Sequence, residues 1–78
     1  MKPTFEQFTH FLARNLFINP AQIKPNKTLR NDLGLNSIEF LELVVHLENA
    51  YHINLPDLEL ERVCTVQDLS NLMDKYQR

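Results

Sequence analysis

Asp32-Leu-Gly-Leu-Asn-Ser-Ile-Glu-Phe-Leu-Glu-Leu-Val-Val-His-Leu-Glu48 is the stretch on which the fold turns. It holds the chain's single glycine, Gly34, followed by a polar Asn36-Ser37 pair that opens a strongly apolar run. Asn36 is a favourable helix cap, and Glu39 stands where its carboxylate can return a hydrogen bond to the cap backbone. The reading is a helix from Ser37 to about Tyr51, broken by His52-Ile53-Asn54-Leu55-Pro56.

That helix has more apolar surface than one face needs. At 100° per residue from Glu39, Phe40, Leu43, Val44, Leu47, Ala50 and Tyr51 fall between about 20° and 140°, an arc wide enough to face a core. Ile38, Leu41 and Val45 form a second strip, at about 200° to 260°. Glu48 separates the two strips and Glu42 borders the second. Unpaired glutamates are not placed inside a fully buried helix. The second strip is expected to be exposed, as an apolar centre with a charged rim, the usual form of a small interaction surface; the alternative is that the third helix or the long loop covers it.

Working outward, Thr4 and Gln7 make a capping box for a first helix. Phe5, Phe8, Leu12 and Leu16 follow at helical spacing, with Phe11 widening the stripe, and Asn19-Pro20 ends the helix near Phe17 or Ile18. Residues 19–36 form a long connection in which Pro20 to Ile23 make one helical turn and Ile23, Leu29 and Leu33 serve as anchors. Lys24, Lys27 and Arg30 read as solvated. Asp57 starts a short helix through Arg62, with Leu58 and Leu60 packing on the bundle. Thr65 and Asp68 cap a last helix whose apolar stripe is Val66, Leu69, Leu72, Met73 and Tyr76. The fold class is all-α, three main helices plus a short one, in a single domain spanning residues 1–78.

Composition fits a globular domain, with 44% hydrophobic and 23% charged residues. No apolar run approaches the roughly 20 residues of a membrane span, and Met1-Lys-Pro-Thr4 opens no apolar signal region. A single cysteine, Cys64, precludes an internal disulfide and suits a reducing compartment, so a cytoplasmic monomer is expected. Cys64 reads as a small packed residue at a helix junction.

Charge is uneven: residues 1–36 carry five Lys/Arg against two Asp/Glu, and residues 37–78 carry three against eight. Acid gathered after Ser37 argues against nucleic acid as partner and for a basic protein surface, the alternative being a solvated acidic face.

Ser37 lacks the surroundings of a nucleophilic catalyst. His46 lies nine residues on, roughly 13 Å further along the axis and on the opposite side. No Gly-x-Ser-x-Gly turn surrounds the serine. No metal-ligand cluster or EF-hand spacing is present. A helix N-terminus does favour negative charge, however, so a phosphate ester on Ser37 would be well placed. The simpler reading of the residue taken alone is a serine that helps cap the helix.

Asp32-Leu-Gly-Leu-Asn-Ser-Ile-Glu39 resembles the Asp-Leu-Gly-x-Asp-Ser-Leu signature of acyl carrier proteins. Glu42-Leu-Val-Val-His-Leu-Glu48, Ile53-Asn-Leu-Pro-Asp57 and Thr65-Val66 resemble the segments that follow it in that family. The resemblance implies a four-helix bundle whose serine, Ser37 here, receives 4′-phosphopantetheine from coenzyme A. A separate phosphopantetheinyl transferase makes that bond with Mg²⁺, and the arm's thiol then holds acyl intermediates as thioesters. It implies partner recognition by Ile38, Leu41, Glu42, Val45 and Glu48, with Glu39, Asp32 and Leu35 as additions. The implied partners, besides the transferase, are acyl-loading, condensing and tailoring enzymes with basic docking surfaces, in fatty-acid, polyketide or related specialised biosynthesis. The chain itself is not an enzyme on this reading.

Asn36 replaces the aspartate before the serine, Ile38 replaces leucine, and the bulky Phe40 stands where a small residue is usual. His46 interrupts the acidic helix surface. These departures suggest a specialised pathway. An aminoacyl or peptidyl carrier, or an unmodified interaction subunit, are the alternatives.

Overall fold

Three capping boxes set the main helices. The computed structural model describes residues 4–77. In it α1 spans Phe5–Leu16, α2 Ser37–Tyr51, the short α3 Asp57–Leu60 and α4 Val66–Tyr76, with a 3₁₀ turn at Pro20–Gln22. Thr4, Asn36 and Thr65 each accept an N–H from the third helical residue, and Gln7, Glu39 and Asp68 each return a bond to the cap backbone. The fold is the expected all-α bundle, and the capping residues are the ones the sequence marks.

The core joins Phe8 and Leu12 of α1, Phe40, Leu43, Val44 and Leu47 of α2, and Val66, Leu69 and Met73 of α4. From the long connection, Ile23 and Leu29 are buried in the same core and Leu33 packs against it. Burying each such side chain contributes about 1.5–3 kcal/mol before the entropy of ordering the loop is set against it.

Backbone pairing holds that connection in place. Leu29 N–H donates to the Cys64 carbonyl at 2.8 Å, Val66 N–H to the Lys27 carbonyl at 2.9 Å and Gln67 N–H to the Pro25 carbonyl at 3.0 Å. Thr28 and Thr65 form an antiparallel bridge. The first N–H groups of a helix have no partner within it, and loop carbonyls supply partners for two of them in α4.

Several details depart from the sequence reading. α1 stops at Leu16 because Phe17 turns left-handed, φ 58°, and both its N–H and that of Ile18 reach the Ala13 carbonyl. α3 ends at Leu60, two residues early, and Glu61 and Arg62 follow it only as a turn, with the N–H groups of Arg62 and Val63 donating to the Glu59 and Leu60 carbonyls. Leu58 does not pack on the bundle; it is 76% exposed, whereas Leu60 is buried. Ala50 falls on the core arc by angle, yet it is exposed. Cys64 is exposed rather than packed, and its contribution is made by its backbone.

Candidate functional site

Ser37 is the first residue of α2, exposed at the tip of the bundle. The cap belongs to Asn36, whose Oδ1 accepts Glu39 N–H at 2.8 Å while Glu39 Oε1 accepts Asn36 N–H at 3.0 Å. The Ser37 hydroxyl is outside that capping box and remains available. The only other serine, Ser70, lies half-buried in the middle of α4.

The approach to Ser37 is open. Gly34 has φ 73°, a conformation that side chains disfavour, and a Cβ placed there would meet nothing within 4 Å. The glycine is thus needed for its backbone geometry, and the space around it is clear. Leu35 N–H donates to the Leu29 carbonyl at 3.1 Å and closes the loop back on itself. Leu35 is itself 5% exposed, so its side chain anchors the loop in the core and is not offered to a partner.

Asp32 is exposed but committed. Its Oδ2 accepts Thr28 N–H at 2.8 Å and the Thr28 hydroxyl at 3.1 Å, while its own N–H donates to Thr28 Oγ1. The backbone bond from Thr28, then the hydroxyl bond, hold the Asp32 carboxyl below its ordinary range. Its place in the structure is as a clasp of the turn before Ser37.

The second apolar strip of α2 is exposed as expected, Ile38 at 69%, Leu41 at 54% and Val45 at 51%. With Glu42 and His46 these residues line one shallow depression. Its acidic rim is thinner than the sequence indicated. Glu39 is occupied in the cap, and half-buried Glu48 accepts the N–H of buried Leu55 at 2.8 Å, bracing the turn between α2 and α3. Glu42 is the exposed carboxylate at the centre of this rim.

A separate groove of about 290 Å³ runs from Ser37 between α2 and α3. Phe40, Leu41 and Leu60 make its apolar part, Arg30 stands on the loop side, and Asp57 and Glu61 stand on the α3 side. No imidazole lines it: His46 opens onto the depression and onto a crevice on the far side of Gly34, and His10 is exposed on α1. No histidine therefore shares this groove with Ser37 to act as the base of a serine–histidine pair. In the sequence Arg30 read as solvated; its position is set by its neighbour Leu29, whose burial and backbone bonds fold the loop towards Ser37.

These surroundings fit a prosthetic group carried on Ser37: the hydroxyl is exposed, uncommitted and approachable, and Ser37 shares its groove with Arg30. They do not assemble a metal site, since no group of three or more His, Cys, Asp or Glu is placed to hold an ion among the described residues. No helix among them is long and apolar enough to cross a membrane.

Comparison with known proteins agrees with the geometry. Residues 6–73 match the family model described as a phosphopantetheine attachment site. The chain is 31% identical over 71 residues to an acyl carrier protein of Campylobacter concisus, covering 91% of this chain and 92% of that protein. It is 34% identical over 65 residues to an acyl carrier protein of Wolinella succinogenes, covering 83% and 86%. To an acyl carrier protein of Phaeodactylum tricornutum it is 28% identical over 75 residues, 96% and 99% of the two chains.

Proposed function

This chain belongs to the acyl carrier protein family, and from that premise we propose that Ser37 bears its 4′-phosphopantetheine arm. Membership implies a phosphopantetheine prosthetic group and a carrier rather than a catalyst. When bound, the group supplies a terminal thiol on which acyl groups are held as thioesters. Residues 1–78 act as one carrier domain that brings such cargo to enzymes of fatty-acid, polyketide or related specialised synthesis.

One observation carries the site assignment. Asn36 and Glu39 complete the cap between themselves, so the exposed Ser37 hydroxyl has no structural duty there. In loading, Ser37 Oγ forms a bond to the phosphorus of coenzyme A that bears pantetheine. The bond from that phosphorus to adenosine 3′,5′-bisphosphate breaks, and the hydroxyl proton passes to a base of the transferase. The start of α2 favours the resulting phosphodiester charge through its N–H dipoles.

Docking falls to Ile38, Leu41 and Val45 with Glu42 at the rim, against a partner surface with apolar and basic residues. Weak, charge-steered contact of this kind allows rapid exchange between enzymes. Glu39, Glu48 and Asp32 support this surface by fixing the backbone beneath it.

Incubation with coenzyme A, Mg²⁺ and a broad-specificity transferase, followed by intact-mass measurement, tests the proposal. One phosphopantetheine increment is expected. No increment, with a competent control carrier, would favour an unmodified interaction subunit.

A further inference from the structure

Resting on the reading that Ser37 carries the arm, we infer that Arg30 holds the arm's phosphodiester on the loop side of the groove that Arg30 and Ser37 share. Arg30 and Ser37 line the same groove. The loop that brings them there is tied at both ends of the reach: Leu29 N–H to the Cys64 carbonyl at 2.8 Å, and Leu35 N–H to the Leu29 carbonyl at 3.1 Å. Residue 30 is therefore held beside the start of α2.

Charge decides which wall the phosphodiester takes. Asp57 and Glu61 line the α3 side of the groove and repel an anion, while Arg30 lines the loop side and attracts it. Among the described residues Arg30 forms no ion pair with either carboxylate. Its guanidinium presents a planar fork that matches phosphate oxygens. An exposed ion pair between free molecules is weak, but here both groups belong to one chain, and the tether supplies an effective concentration of order millimolar.

Phosphorus-31 NMR of the loaded protein reads this contact directly, with loading scored separately by intact mass. In the loaded wild type the phosphodiester resonance should move between about 0.01 M and about 1 M salt, where the Debye length falls from about 30 Å to about 3 Å. Arg30→Gln should sit at the high-salt position throughout, and Arg30→Lys should restore part of the salt response. A fully loaded Arg30→Gln protein with the wild-type resonance and salt response overturns the inference and leaves the carrier reading intact. Absence of any mass gain overturns the carrier reading, and this inference with it.

Discussion

Asn36 and Glu39 exchange two hydrogen bonds, Glu39 N–H to Asn36 Oδ1 at 2.8 Å and Asn36 N–H to Glu39 Oε1 at 3.0 Å, across the residue proposed as the attachment point. The cap and the handle are thus separate residues. Asn36→Ala should cost about 1 kcal/mol of stability, the usual loss for an N-cap. In a domain of this size that lowers the melting temperature by about 4–8 °C. Asn36→Asp keeps the acceptor oxygen and should melt close to wild type. Thermal unfolding by circular dichroism separates the two variants; equal destabilisation by both would mean the cap is not what Asn36 provides.

Acid should loosen the loop and the start of α4 together. Thr28 holds the Asp32 carboxyl below its ordinary value, and the Thr65 and Cys64 N–H groups do the same for Asp68. A folded-state pKa depressed below the unfolded one gives stability that is complete above the unfolded value, near 4, and is lost as pH falls through the folded value. Stability should therefore be flat in these groups from neutral pH to about 5 and decline below about 4. In urea titrations across that range, Asp68→Asn should flatten the decline. An unchanged slope would remove Asp68 from the account.

Docking and stability should separate along α2. Leu41→Ala and Val45→Ala alter exposed side chains and should change stability by less than about 0.5 kcal/mol while weakening partner binding. Leu47 is fully buried, so Leu47→Ala should cost about 2–5 kcal/mol. Calorimetric binding to a condensing or loading enzyme, paired with unfolding curves, distinguishes the two classes. Comparable destabilisation at positions 41 and 47 would show that the exposed strip is structural.

The glutamates of the same helix should also divide. Glu42→Lys should weaken docking much more at low salt than at high salt, with little effect on folding. Glu48→Ala leaves the buried N–H of Leu55 without its acceptor and should cost about 1–3 kcal/mol. If Glu48→Ala folds as well as wild type and loses docking instead, Glu48 belongs to the surface and not to the turn.

Much of this was legible in the chain because it is local. The three capping boxes involve residues three apart, and the two strips of α2 follow from helical angle alone. What was not legible depends on partners distant in sequence. The Glu48–Leu55 bond, the burial of Leu35 and the exposure of Leu58 depend on how the turns between helices close. The pairing of residues 25–29 with 64–67 is made by backbone groups, which leave no side-chain signature. Arg30 is a further case: its place in the sequence does not set it apart from Lys24 or Lys27, and only the closure of the loop at Leu29 and Leu35 brings it to the Ser37 groove. The proposal of Ser37 as the handle draws on both sources, a sequence signature that points to it and a geometry that leaves its hydroxyl uncommitted.

The most direct measurement compares wild type with Ser37→Ala after incubation with coenzyme A, Mg²⁺ and a broad-specificity transferase, using intact mass followed by peptide fragmentation. The account predicts one phosphopantetheine increment on wild type, located at Ser37 and not at Ser70, and none on a folded Ser37→Ala protein. An increment retained by Ser37→Ala, or found at another residue, would contradict it.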